Sequence, residues 1–176
     1  MHRRAARVIP ALCVVLLGAA ACTAASDNPT VGPTPGAALP SSSTALPTFT
    51  AAQFRRLMGQ LSGTPVAVNV WASWCGPCVA EAPDLARTAR EYEGRVQFIG
   101  VDIQDHLSPA RAFVRRFGWP YPSVFDPTGE IRDSLGVLGQ PNTVLFDRTG
   151  KQAFVISGPA TLTVLRAQLD KLVGAG

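Results

Sequence analysis

The feature that most constrains the fold is a pair of cysteines two residues apart, at the point where a buried strand gives way to a helix. The run Pro65–Ala72 is apolar and rich in β-branched residues, which predicts a strand buried on both faces. The sequence Trp-Cys-Gly-Pro-Cys follows at 74–78, and a helical pattern extends from Gly76 to about Tyr92. The fold must therefore place two thiols between a buried strand and the first turn of a helix.

The first turn of this helix suits a reactive thiol. Its unpaired backbone N–H groups and partial positive charge stabilise a thiolate on Cys75. Pro77 fits this turn because its missing N–H would have no helical partner there. Cys78, one turn further on, can attack a mixed disulfide formed at Cys75. We therefore predict Cys75 as the exposed nucleophile and Cys78 as the buried resolving thiol.

Other interpretations of the cysteine pair stay open at this point. A disulfide with a purely structural role is one, although a bridge closing so short a loop stabilises a fold less than a long one. Half of a zinc site is another, but tetrahedral zinc needs about four ligands. Beyond residue 22, the only cysteines are those at 75 and 78 and the only histidine is His106. The thiols could also serve as soft ligands for Cu(I).

The first 21 residues are typical of an export signal. Arg3, Arg4 and Arg7 form a basic start, and Val8–Gly18 supplies a short apolar run. That run is shorter than the roughly 20 residues of a membrane-spanning helix. Without these three arginines, 13 of the 16 basic residues remain against 12 acidic ones, so the net charge falls from +4 to near +1. We expect no nucleic-acid partner from so balanced a chain.

The end of this leader resembles the lipobox of bacterial lipoproteins, in which small residues precede a cysteine that becomes acylated. Cys22 is the candidate lipidation site, although Ala19 stands where that pattern usually has Leu. Cys13 would be removed with the signal. We expect an exported protein held on the extracytoplasmic face of the cell membrane by a lipid anchor at Cys22, with simple secretion as the alternative.

Two further regions follow the leader. Residues 22–47 are dominated by Pro, Gly, Ser, Thr and Ala without an apolar period, which predicts a tether that stays unfolded. Residues 48–176 are predicted to form one domain in which helices and strands alternate. Besides the strand and helix around the cysteines, the patterns predict helices over 50–61 (capped by Thr50), 108–117 (capped by Ser108) and 160–173, strands over 96–102, 123–125, 142–147 and 152–157, and a turn over 126–129. This order implies an α/β fold, with a mixed sheet and helices on both faces.

The cysteine motif and its surroundings resemble the thioredoxin superfamily, and residues 48–174 resemble its TlpA/ResA/CcmG branch. The branch shares the pattern Cys-x-x-Cys-x-x-Glu-x-Pro at 75–83, a central insertion at 100–126, and a cis-proline loop at 139–143 that leads into a final hairpin. The resemblance implies a thioredoxin-like fold. It also implies dithiol–disulfide exchange by the redox-active Cys75–Cys78 disulfide, with no metal and no other cofactor.

The resemblance also implies a substrate-binding surface around the cysteines. Pro141 would be cis and would hold an extended backbone edge where a substrate peptide pairs as an added strand. Asn142 departs from the Thr that usually follows this proline. The implied substrate-binding residues are Trp74, Gly76, Pro77, Gln140 and Pro141.

A proton acceptor for Cys78 is harder to assign. Cytosolic thioredoxins have a buried aspartate at the strand position that Asn69 takes here, and an amide cannot accept the proton. Glu81, three residues after Cys78, is the nearest titratable candidate; the other interpretation is an exposed helix acid. Asp105 and His106 are expected to be solvated loop residues.

These observations together predict a membrane-tethered thiol–disulfide oxidoreductase. We expect it to reduce disulfides in exported proteins or in cytochrome c maturation substrates, with electrons from a membrane electron-donor thiol protein. No cationic residue or histidine lies between Cys75 and Cys78, so nothing there raises the reduction potential of the pair to that of a strong oxidant. The alternatives are a disulfide-forming oxidase and a Cu(I)-handling thiol module.

Overall fold

The computed structural model describes residues 38–174, in which helices and strands alternate as expected. The signal at 1–21, Cys22 and the first part of the predicted tether lie outside these residues. The elements are α1 (Ala51–Gln60), β1 (Val66–Trp71), α2 (Gly76–Glu91), β2 (Gln97–Ile103), α3 (Leu107–Phe117), β3 (Ser123–Asp126), α4 (Glu130–Ser134), β4 (Asn142–Phe146), β5 (Gln152–Ser157) and α5 (Leu162–Gly174).

The five strands form one mixed sheet in the order β3-β2-β1-β4-β5. The first three strands in the chain run parallel to one another, whereas β4 runs antiparallel to both β1 and β5. The predicted mixed sheet with a final hairpin is therefore confirmed. β1 lies at the centre of the sheet, where neighbours on both sides leave it no open edge.

Helices cover both faces of the sheet, as the strand pattern predicts. The side chains of β1 alternate, so Val66, Val68 and Val70 pack in the cluster that includes residues of α1 and α4. Ala67 and Trp71 belong to the opposite cluster, which includes residues of α2, α3 and α5. Each face of β1 is therefore buried by a separate apolar layer.

The short helix α4 is an element that the sequence analysis missed. The turn predicted over 126–129 leads directly into it, and the carboxylate of Asp126 accepts hydrogen bonds from the N–H groups of Gly129, Ile131 and Arg132. Five residues are too few to show a helical period. The helix depends on this capping carboxylate, which saturates its first N–H groups.

The start of α3 also differs from the prediction. The helix begins at Leu107, one residue before the predicted cap Ser108, and its N-cap is His106, whose side chain makes no capping hydrogen bond. The helix does end at Phe117 as predicted, where Gly118 takes the left-handed conformation with a φ of 57°.

The segment just before the predicted boundary at Thr48 packs on the domain. Leu46 is buried in the core with 1% of its surface exposed. The backbone of Pro47 and Phe49 pairs with Phe125 of β3, through hydrogen bonds of 2.8 and 3.0 Å. The guanidinium of Arg111 also donates to the carbonyls of Thr44 and Ala45, so both apolar burial and hydrogen bonds hold the end of the predicted tether.

The remaining helices agree with the predictions to within two residues. Thr50 forms the predicted cap of α1, in a reciprocal arrangement with Gln53. Of the helices in residues 38–174, none combines the length and the apolar character that a bilayer crossing needs.

Candidate active site

The two cysteines lie at the junction between β1 and α2, where the sequence predicts them. Cys75 is the N-cap of α2, with an extended backbone, and its sulfur accepts a hydrogen bond of 3.2 Å from the N–H of Cys78. Pro77 lies in the first turn of the helix. The two sulfurs form a disulfide, so the structure shows the oxidised state of the pair.

The cysteines are less exposed than we predicted. Cys78 is buried as expected, with 1% of its surface exposed, but Cys75 exposes only 5%. Its sulfur turns back onto the start of α2, where it contacts Cys78, and this orientation hides most of the side chain. The prediction of an exposed Cys75 is therefore wrong for the oxidised state, although Cys75 exposes more of its surface than Cys78 does.

The cis-proline loop lies at the same end of the sheet as the cysteines. β1 and β4 pair with Val70 opposite Asn142, so Pro141, directly before β4, lies beside the end of β1. The peptide bond between Gln140 and Pro141 is cis, as the resemblance implies. Within residues 38–174, neither the N–H nor the carbonyl of Gln140 forms a backbone hydrogen bond, which leaves both groups able to pair with an added strand.

Two large apolar side chains near the cysteines and in this loop are exposed. Trp74 exposes 59% of its surface and Leu138 96%. The side-chain amide of Asn142 donates to the carbonyl of Gly139 at 3.1 Å and so shapes the loop from within. An open groove of about 600 Å³ runs along the loop and is lined by Gly136, Val137, Leu138, Gln140, Pro141, Asn142, Val155, Ser157 and Gly158.

Glu81 is buried and fully engaged, which rules out the interpretation as an exposed helix acid. Its exposed fraction is 3%. Oε1 accepts a hydrogen bond of 2.9 Å from the side-chain amide of Asn69, and Oε2 accepts one of 2.7 Å from the N–H of Ala160. The amide of Asn69 also donates to the hydroxyl of Thr143 at 3.2 Å. Glu81 therefore joins α2, the sheet and the segment before α5.

The pKa of Glu81 lies near neutral pH. Burial raises the pKa of Glu81 to about 7, against the opposing effect of the hydrogen bonds from Ala160 and Asn69. Cys78 and Glu81 are three residues apart on the buried face of α2, so their side chains lie on the same side of the helix. This shared face makes Glu81 the candidate acceptor for the proton of the Cys78 thiol.

Two further acids lie near the cysteines: Asp105, which was predicted to be a solvated loop residue, and Asp102, which the sequence analysis did not single out. Asp105 is half-buried rather than solvated, and its carboxylate accepts hydrogen bonds from the N–H groups of Ser73 at 2.5 Å and His106 at 2.6 Å. Asp102, the acid within the apolar pattern of β2, is fully buried. An ionisable residue inside an otherwise apolar strand is the signal that could have identified it. His106 is exposed, as expected.

The described residues also include side chains of the types that proteins use as ligands for metal ions. Among the described residues, no group of three or more His, Cys, Asp or Glu side chains is placed to hold a metal ion.

Comparisons with known proteins place the chain in a family. Residues 35–172 match the Redoxin family. The chain is 37% identical over 118 residues to the thiol:disulfide interchange protein DsbE of Allochromatium vinosum, covering 66% of this chain and 62% of that protein. It is 29% identical over 111 residues to the thiol-disulfide oxidoreductase ResA of Geobacillus thermodenitrificans, covering 62% of this chain and 64% of that protein. The match thus spans less than two thirds of each relative.

Two solved structures are similar to this fold. One is a secreted Mycobacterium tuberculosis disulfide oxidoreductase homologous to E. coli DsbE, with a TM-score of 0.57 and 25% identity over 67% of this chain and 86% of the other. The second is a secreted thiol-disulfide isomerase from Corynebacterium glutamicum, with a TM-score of 0.62 and 26% identity over 66% of this chain and 75% of the other. With the family match across most of its length and the cysteine pair at the start of α2, this chain belongs to the Redoxin family and has a thioredoxin-like fold.

Proposed function

We propose that the protein is a thiol–disulfide oxidoreductase that acts on other proteins through Cys75 and Cys78. The observation that carries the proposal is Glu81, a buried carboxyl with a pKa of about 7 on the same helix face as Cys78. A purely structural disulfide has no use for a proton acceptor at this position. The names of the relatives, thiol:disulfide interchange protein and thiol-disulfide oxidoreductase, support the same reaction.

The exchange proceeds in two thiol–disulfide steps. The Cys75 thiolate attacks a substrate disulfide, which forms a mixed disulfide and releases one substrate sulfur as a thiolate. Cys78 then gives its proton to Glu81 and attacks the sulfur of Cys75, which releases the second substrate sulfur. Two electrons pass to the substrate, and the protein ends with the disulfide seen in the structure.

The direction we propose is reduction of the substrate. A dithiol becomes a strong reductant when its thiolate form is poorly stabilised. The residues between the cysteines, Gly76 and Pro77, bring no cation, and the ionised form of Glu81 opposes a thiolate on the same helix face. Formation of disulfides in exported proteins is the reverse direction and the alternative.

We propose protein segments in an extended conformation as the substrates. The unpaired backbone groups of Gln140 can pair with a substrate strand, and Trp74 and Leu138 offer apolar surface beside it. Exported proteins with disulfides, including cytochrome c maturation substrates, provide such segments. Electrons would come from a membrane thiol protein, and Cys22 would hold the protein at the extracytoplasmic face of the membrane.

A trapping experiment tests the proposal. The full-length Cys78→Ser protein cannot resolve a mixed disulfide, so it should accumulate covalent complexes with its substrates that dithiothreitol releases. The matched control is the double variant Cys75→Ser/Cys78→Ser, which should trap nothing. Absence of any trapped chain, together with copper in the purified wild type, would instead favour the Cu(I)-handling module.

A further inference from the structure

The turn after β2 holds the loop that carries Cys75. The carboxylate of Asp105 accepts a hydrogen bond from the N–H of Ser73, and the carbonyl of Gln104 accepts one of 3.1 Å from the indole N–H of Trp74. Gln104 has a φ of 48°, a left-handed conformation that residues other than glycine rarely adopt. Ser73 and Trp74, the two residues directly before Cys75, are therefore both held by the turn at Gln104 and Asp105.

The register of the sheet places Asp102 next to this contact. β1 and β2 are parallel with Trp71 opposite Asp102, so the chain segments that follow these two residues run side by side. The side chain of Asp102 is fully buried, and neither of its oxygens accepts a hydrogen bond from a donor group in residues 38–174. Asp102 also takes no part in the salt bridges of this region. A buried carboxylate without donors or a counter-ion is costly, which favours the neutral acid.

The polar group that Asp102 faces is another carboxyl, that of Asp105. Two carboxylates can both only accept hydrogen bonds, so a bond between them requires a proton on one of them. Asp105 accepts hydrogen bonds from the N–H groups of Ser73 and His106, so its oxygens already act as acceptors and it is the acceptor of the pair. The proton therefore belongs to Asp102. Burial, with the charge of Asp105 and its hydrogen bond, raises the pKa of Asp102 to about 9.

Other groups around Asp102 do not supply the missing charge. Its neighbours across the sheet, Trp71 on β1 and Phe125 on β3, do not titrate. On α2 the buried titratable residues are Cys78, which is disulfide-bonded in the oxidised protein, and Glu81, which has its own partners. At the start of α3, His106 is exposed. The carboxyl pair of Asp102 and Asp105 is thus a local unit that shares one proton.

We propose that Asp102 is a positioning residue for disulfide exchange at Cys75, because its protonated carboxyl donates a hydrogen bond to Asp105, which holds the N–H of Ser73. The loop that presents Cys75 is then fixed by a proton held between two carboxyl groups. When Asp102 ionises in alkaline solution, this bond is lost and two negative charges meet, so the contact between Asp105 and Ser73 must change. The role in exchange rests on the proposed function, but the carboxyl pair itself can be tested without it.

The first test uses the oxidised protein, in which neither cysteine titrates. ¹³C-detected NMR follows the side-chain carboxyl carbon of Asp102 and the carbonyl carbon of Ser73 from pH 3 to 11. We expect Asp102 to titrate in the alkaline range, with a response of Ser73 at the same midpoint. In Asp102→Asn the response of Ser73 should disappear. The control is Asp147→Asn, since Asp147 also accepts two backbone N–H bonds, in the hairpin turn at the other end of β4, and this variant should keep the response.

The second test uses the reduced protein and the rate at which iodoacetamide alkylates Cys75 at pH 7. Asp102→Asn should stay within about twofold of the wild type, because its amide can donate the same bond to Asp105. Asp102→Leu cannot donate, and its rate should fall by about fivefold, the equivalent of one hydrogen bond. Should Asp102→Leu not fold, the NMR titration and the alkylation rate of Asp102→Asn test the hydrogen bond from Asp102 to Asp105.

Two results would overturn the proposal. One is titration of Asp102 near the ordinary aspartate value of about 4. The other is a Ser73 response that persists in Asp102→Asn. Failure of the Cys78→Ser trap would count against the proposed exchange while leaving the carboxyl pair intact.

Discussion

The side-chain amide of Asn69 on β1 donates a hydrogen bond of 2.9 Å to the carboxyl of Glu81 on α2, within the core and below the cysteine-bearing turn of the helix. The contact links a strand residue that cannot accept a proton to a carboxyl that can. Because Asn69 donates also to Thr143 of β4, the orientation of Glu81 is tied to the central strands. The proposed proton acceptor is therefore supplied by the helix and positioned by the sheet.

Replacement of Glu81 by Gln should slow the resolving step more than the first attack. The amide keeps the size of the side chain but cannot take the proton of Cys78, and general-base assistance is typically worth about 10²–10⁴-fold in rate. Stopped-flow measurement of mixed-disulfide decay across pH 5–9 checks this. Glu93→Gln, at an exposed position just beyond α2, is the matched control and should retain the wild-type profile. A Glu81→Gln profile that overlays the wild type would remove Glu81 from the mechanism.

The stability of the fold should fall as Glu81 ionises. Its folded pKa of about 7 exceeds the ordinary value of 4.5, so between these pH values the folded state binds more protons than the unfolded one. The free energy of unfolding therefore decreases as pH rises through this window and levels off above pH 7. The contribution of Glu81 is at most about 3 kcal/mol. Urea unfolding of the oxidised protein from pH 4.5 to 8 should show a decrease that is smaller in Glu81→Gln; equal slopes in both proteins would contradict the assignment.

Gly100 of β2 should tolerate no side chain. A Cβ at this position would lie 2.8 Å from the indole nitrogen of Trp71 and closer still to the hydroxyl of Ser123, both in the core. Gly100→Ala should therefore lower the free energy of unfolding by about 1–3 kcal/mol, the usual cost of overpacking. Gly59→Ala in α1 is the control, because nothing lies within 4 Å of the added carbon, and it should stabilise by about 0.5–1 kcal/mol. Equal stability of the two variants would show that the core around Trp71 is loosely packed.

Local sequence signals predicted the part of the fold that carries the cysteines. The β-branched run of β1 and the cysteine–proline start of α2 each contain their own structural signal, so the junction at Cys75 follows directly from the residues. The cis peptide before Pro141 was available only through the resemblance to thioredoxins, because few prolines adopt this state.

Long-range contacts explain what the sequence did not reveal. Glu81 is buried because its carboxyl binds the N–H of Ala160, 79 residues further along the chain, and no local pattern encodes that meeting. The same holds for Asp105, whose contact with Ser73 depends on the register of β1 and β2. Leu46 joins the core from a segment with the composition of a tether, where the carbonyls of Thr44 and Ala45 also accept hydrogen bonds from Arg111, 67 and 66 residues further along the chain.

The reduction potential of the Cys75–Cys78 pair tests the central claim most directly. The protein is equilibrated with glutathione buffers of defined ratio, and the oxidised fraction is read from Trp74 fluorescence or from alkylation mass shifts. We predict reversible equilibration, since the pair exchanges with thiols. We also predict a reduction potential below about −180 mV, the value of protein disulfide isomerase. A potential above that value would assign the protein to disulfide formation, and a pair that does not exchange with glutathione at all would contradict the oxidoreductase function itself.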